Sequence, residues 1–241
     1  MKQHSSGFII GIVVSIIVGF GVLFAVWVGL ASAQGLGYEP PVLQATKTGP
    51  NTAELDLSAY PDSMVCHSDA PNPQINWVTY CASTPAQAQG TNIELPPNSL
   101  ITVVIKQYDS STGVLNDFFN TVQGTMGGVA MYNNKPMSQL KSEVIAHTFT
   151  IQSVPDETNP IFVSVPLLGV PDNAPTNVTI NGNQYPTPTV NQFQFRTGPA
   201  GHTYIWHCYV PCGSNLEAPY GFGGPMATTG YMAGTITVSS Y

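Results

Sequence analysis

An all-β fold set behind one membrane-spanning helix is what this sequence predicts, on three observations. A single unbroken apolar run lies near the N-terminus. The C-terminal part is a succession of short β-branched and aromatic stretches separated by Gly, Pro, Asn and Ser clusters, the pattern of strands and turns. The composition agrees: 23 glycines, 21 prolines and only 8% charged residues in 241, against about a quarter charged in an average soluble domain. That is a turn-rich β protein with a polar, uncharged surface. A formal charge of −7 with six Lys plus Arg argues against a nucleic-acid partner, which needs a basic footprint.

The apolar run is Phe8 to Leu30, longer than the ~20 residues that cross a bilayer as a helix, with Trp27 placed for one interface. Lys2 precedes it and no Lys or Arg follows until Lys47. The positive-inside rule then leaves the N-terminus in the cytoplasm and exports the rest. Ala31-Ser32-Ala33 has the form of a signal-peptide cleavage site. Signal-peptide cores usually span about 7–15 residues, so a retained single-pass anchor in the cell membrane is the expectation. Both readings export the domain. The expected organisation is a cytoplasmic stub and anchor over 1–34, a loop-rich extracellular segment over 35–90 and a β domain over 91–241.

Cys66 and Cys81 lie in the loop-rich segment with fourteen residues between them. Outside the cell an oxidised pair is the default, stabilising by about 3 kcal/mol in the chain-entropy model. The alternative, metal binding with His67 beside Cys66, has no nearby ligand set.

Leu100 to Tyr108 reads as a β-branched strand after a Pro96-Pro97-Asn98 turn, and Asp109-Ser110-Ser111-Thr112-Gly113 breaks it. Val114 to Lys141 is polar, and its Met126, Met131 and Met137 read as core-filling residues. Val144 to Ile151 is the next strand, with His147 on the inward face beside Ile145, Phe149 and Ile151. A lone inward histidine is usually a hydrogen-bonded core residue. This one gains weight from the cysteines downstream. Ile161 to Val170 is apolar, Asn177-Val178-Thr179 is a glycosylation-type sequon, and Asn191 to Arg196 alternates. A turn at Gly198–Gly201 then predicts an antiparallel hairpin into Gly201-His-Thr-Tyr-Ile-Trp-His-Cys-Tyr-Val-Pro-Cys-Gly213. A strand, a loop bearing two thiols and a closing strand from Met232 make a corner suited to copper, because thiolate and thioether sulfur favour Cu(I) and imidazole suits both oxidation states.

Three blocks in order, LPPNSLITVVIKQYD, AHTFTIQ and FQFRTGPAGHTYIWHC…MAGTITV, resemble the cupredoxin family over about 91–241. The resemblance implies a Greek-key β-sandwich with copper at one end. His147 matches the family's upstream histidine, Cys208 its loop cysteine and Met232 its axial methionine, with Met226 the runner-up. Cys208-x3-Cys212-Gly213 is similar to the binuclear copper loop of cytochrome oxidase subunit II, whose anchor-then-cupredoxin architecture also fits. What the resemblance implies is a subunit II-like component of a respiratory haem-copper oxidase or related membrane complex. It would accept electrons from a small donor protein and pass them through copper to other subunits.

The pattern departs at the histidine that follows the second cysteine by four residues in that family. Leu216 stands there, and no histidine lies between Cys212 and the C-terminus. His207 should face away from Cys208, and His202 lies about 20 Å back along the strand. Two outcomes stay open: copper held by His147, Cys208, Cys212 and Met232, or a Cys208–Cys212 disulfide in a copper-free structural or assembly subunit. Extracellular copper capture and delivery is a third. A hydrolase finds no support, as no Ser-His-Asp order or paired carboxylates stand out.

Overall fold

A computed structural model describes residues 6–33, 42–60, 76–78, 92–180, 183–210 and 232–241. The chain divides into two compact units, Met1–Glu39 and Pro40–Tyr241. The first contains α1 (Ser6–Ala33). Its stretch Ile10–Val28 buries no side chains and is long and apolar enough to cross a membrane.

The second unit is mostly β. One sheet runs in the order β1 (Val42–Gln44), β5 (Asn92–Leu95), β15 (Ala233–Val238), β14 (His202–His207), β9 (Ile145–Ser153), β10 (Phe162–Leu168). The other runs β2 (Thr46–Gly49), β3 (Thr52–Tyr60), β6 (Leu100–Gln107), β13 (Thr189–Arg196), β7 (Ala130–Tyr132), β8 (Lys135–Met137), with β4 (Asn76–Val78) paired to β3. A separate two-stranded sheet joins β11 (Val178–Ile180) to β12 (Asn183–Tyr185). The two large sheets share one core: Phe149 of β9 lies 5.5 Å from the Trp206 ring of β14 and 5.6 Å from the Phe193 ring of β13 across the interface. Alternation generates that core. Residues 101, 103, 105 and 107 of β6 and 189, 191, 193 and 195 of β13 are the buried set of each strand.

Three elements differ from what the sequence leads one to expect. First, the hairpin between Asn191–Arg196 and the strand after Gly201 does not form: β13 and β14 belong to different sheets. Thr197 holds the end of β13 on the β6 side, its hydroxyl donating to Pro96 O at 2.7 Å and accepting from Ser99 N at 2.9 Å. Gly201, at φ +96°, then donates to Val238 O and starts β14 against β15. The connection crosses from one sheet to the other because its two ends are fastened to different partners. Second, residues 42–60 are structural rather than loop-like. Ala53, Leu55, Leu57 and Ala59 of β3 are buried, and β3 runs parallel to the whole of β6. Third, the polar stretch 114–141 contains the β7–β8 hairpin, turned by Asn133 and Asn134 at φ 47° and 67°, the left-handed pair that a tight hairpin needs. Of the methionines there, Met137 packs on the core but Met126 is exposed.

Candidate metal centre

His147 and Cys208 come from different strands and meet inside the domain. His147 lies on β9 at a register irregularity: Leu167 pairs with His147, but Leu168 pairs with Ile145. The extra residue, Ala146, makes a bulge, which bends a strand and re-aims its side chains. Ile145 to Ile151 are all buried, since this stretch of β9 is covered on both faces. Cys208 is the first residue beyond β14, and its backbone N–H donates to Met232 O at 3.0 Å, just before β15 begins. The imidazole Nδ1 and the Cys208 Sγ stand 3.8 Å apart, on residues that are 1% and 0% exposed.

Each donor is held from behind. On the histidine side, the turn after β6 is pinned in place: Thr112 and Gly113 donate to Ile145 O, and Val170 donates to Asp109 O. The Asp109 carboxylate is thereby set against the ring, with Oδ2 3.1 Å from Nε2. Burial alone would lower the His147 pKa. The hydrogen bond to Asp109 and the sulfur of Cys208 together outweigh it, and the pKa is pushed up to about 9. On the cysteine side, Sγ accepts from the backbone N–H groups of Thr148 at 3.4 Å and Val210 at 3.3 Å. Thr148 works twice, since its hydroxyl also accepts from Tyr209 N at 2.8 Å.

The separation of the two side chains would allow both to bind one metal ion. With about 2.0 Å to nitrogen and about 2.3 Å to sulfur, values typical of zinc sites, a 3.8 Å separation corresponds to an N–metal–S angle of about 125°. That is close to trigonal, the arrangement found with imidazole and thiolate around copper. A carboxylate on the far ring nitrogen is the usual support of a ligating histidine. Met232 is fully buried in the same core. Cys212 and Met226 lie outside the described residues, as do Cys66, Cys81 and His67. Among the described residues, no group of three or more His, Cys, Asp or Glu side chains converges.

The remaining described histidines are engaged elsewhere. His207 faces away from the site, as strand parity requires. Its Nδ1 donates to Cys208 O at 3.2 Å and its Nε2 accepts from Gln152 Nε2 at 3.1 Å. Gln152 Oε1 in turn accepts from the Tyr209 hydroxyl, and the Tyr209 ring stacks 4.1 Å from Phe119. His202 pairs with Glu157 at 2.6 Å at the other end of its strand. The residue that sequence reasoning missed is Asp109. It reads as one member of a strand-breaking turn, and no local spacing ties it to a histidine 38 positions on.

Comparison with protein-family models, with curated proteins and with solved structures gives no match for this chain.

Proposed function

We propose that this chain is a membrane-anchored, extracytoplasmic copper protein of the cupredoxin type, with the two sheets forming a Greek-key sandwich. In this reading it is a subunit II-like component of a respiratory or related membrane redox complex. The observation that carries the proposal is the buried His147–Cys208 pair, 3.8 Å apart, with a carboxylate behind the ring and two N–H donors on the sulfur. The apolar helix α1 is the anchor, and Lys2 before it sets the N-terminus in the cytoplasm.

His147 and Cys208 would hold the copper, with Cys212 and Met232 as the further ligands and Met226 as the substitute for Met232. When bound, copper supplies one-electron oxidation and reduction. The protein's own contribution is to fix and shield the donors. Asp109 holds the imidazole with Nδ1 towards the sulfur, Thr148 and Val210 stabilise negative charge on Sγ, and burial shields both donors from bulk solvent. Donors fixed in this way would change little in geometry between oxidation states, which would favour electron passage. In this reading a small electron-donor protein would supply the electrons and other subunits of the complex would receive them.

The test is the metal content of the full chain isolated from its native membrane, with the thiol state of Cys208 and Cys212 and cyclic voltammetry on the same sample. Stoichiometric copper, reduced cysteines and a reversible wave are expected. A copper-free chain with a Cys208–Cys212 disulfide, in a complex indifferent to copper chelation, would instead make the domain a docking module. Copper bound without reversible cycling would indicate capture or delivery.

A further inference from the structure

Nearly all buried polar side chains between the two sheets have protein partners. Thr150 bonds to Ser164, Thr189 to Leu168 O, and Thr197 to Pro96 and Ser99. Three described side chains have a buried polar atom without a partner: Asn120, at its Oδ1 in the short helical turn 117–120, and two on the facing strands β6 and β13. Gln107 is completely buried, and neither its Nε2 nor its Oε1 has a partner among the described residues. Asn191 is equally buried; its Oδ1 accepts from Leu168 N at 2.8 Å, while its Nδ2 has no partner among the described residues.

The two residues are close in the sheet. β13 runs antiparallel to β6 with Thr189 opposite Gln107 and Asn191 opposite Ile105. Gln107 and Asn191 are therefore diagonal neighbours on one inward face, with Cα atoms about 7 Å apart. Both adjoin the candidate site. Gln107 is two residues before Asp109, and the Leu168 that Asn191 grips follows Leu167, the strand partner of His147.

We infer that Gln107 and Asn191 form a binding site for internal water, a short fixed solvent cluster between the sheets behind His147. A buried polar atom left unmade costs about 1–3 kcal/mol, and native interiors meet that cost with ordered water where two to four polar groups converge. The donor inventory selects the ligand. Of the three unpartnered groups on Gln107 and Asn191, two are N–H donors and one is a carbonyl acceptor. A cation would face the two donors, and an anion would find nothing to offer the carbonyl. Water accepts from the amides and donates to the oxygen. Exchanging the oxygen and nitrogen of Gln107 leaves this balance unchanged, and the Leu168 N–H fixes the orientation of Asn191. The inference is independent of copper: it concerns the domain in any metal state.

Oxygen-17 relaxation dispersion of the detergent-solubilised full chain tests it, comparing the native protein with Gln107→Met, which keeps side-chain length and removes the amide. The native chain should show long-lived internal water, and the variant should lose at least one such molecule. Equal long-lived water in the two proteins overturns the inference. Should the variant fail to fold, a crystal structure of the native chain decides. Ordered water on Gln107 and Asn191 Nδ2 supports the site, and amides saturated by protein atoms refute it.

Discussion

Two histidine–carboxylate pairs sit at opposite ends of the same sheet, and they differ in the way that matters for chemistry. His202 and Glu157 are closer, 2.6 Å against 3.1 Å for His147 and Asp109. Yet the shorter pair is a turn fastening: both side chains keep contact with solvent, and Glu157 also accepts from Asn159 N at 2.9 Å. The longer pair is buried on its histidine side and joined to a sulfur. Distance between a histidine and a carboxylate therefore says little about function here. What distinguishes the His147 pair is that the second ring nitrogen faces a fully buried sulfur.

The sharpest break in this comparison is deletion of each histidine. His147→Ala removes a fully buried ring together with its contacts to the Asp109 carboxylate and the Cys208 sulfur; a loss of about 3 kcal/mol in chemical denaturation is expected from the cavity and the lost bonds. His202→Ala should cost far less, because water replaces the ring. Equal losses would erase the distinction. Next in size is Asp109→Asn. It keeps the shape but removes the charge-assisted bond, with an expected cost of about 1–2 kcal/mol in the metal-free chain. In the copper-loaded chain it should also shift the reduction potential, which a merely structural aspartate would not do.

The two pairs should also respond to pH in opposite directions. The folded pKa of His147 lies at about 9, above the usual histidine value near 6.5. Its contribution to the metal-free chain is thus fully present below about pH 6.5 and is lost as pH rises through about 9. Glu157 is held below the usual carboxylate range, first by its bond from Asn159 N and then, against a partial desolvation, by His202. Its contribution is present above the ordinary glutamate pKa and fades as pH falls through the lowered one. Melting temperature against pH should therefore lose its alkaline slope in His147→Ala and part of its acid slope in Glu157→Gln. The acid effect is the smallest predicted, since the His202–Glu157 pair keeps contact with solvent, where charge interactions are weakened and screened by salt.

The same contrast shows what a sequence makes legible. Most strands read directly: the structure places β6 at Leu100–Gln107 and β9 at Ile145–Ser153, where β-branched alternation puts them. That alternation also pointed His147 inward. Strand β3 was equally periodic, with Ala53, Leu55, Leu57 and Ala59 in step, but two of its four inward residues are alanines, too small to stand out as a hydrophobic stripe. The Asn133-Asn134 turn was a usable hairpin signal hidden in a polar stretch. Asp109 and the Gln107–Asn191 pair were not legible at all. Their partners lie on strands joined only by the fold, and polar residues near a strand end look the same whether they meet solvent or a neighbour. The crossing of 197–201 between sheets escaped for a related reason: a glycine-rich turn fits a hairpin or a crossover, and Thr197 decides through residues about a hundred positions earlier.

The most direct measurement of the central claim is the visible absorption and electron paramagnetic resonance of the copper-loaded full chain beside Cys208→Ser. The native chain should show a thiolate-to-copper band with a copper resonance, and Cys208→Ser should abolish the band. A native chain that takes up copper without any thiolate band, or whose spectra are indifferent to Cys208, would contradict the assignment of His147 and Cys208 as a metal centre.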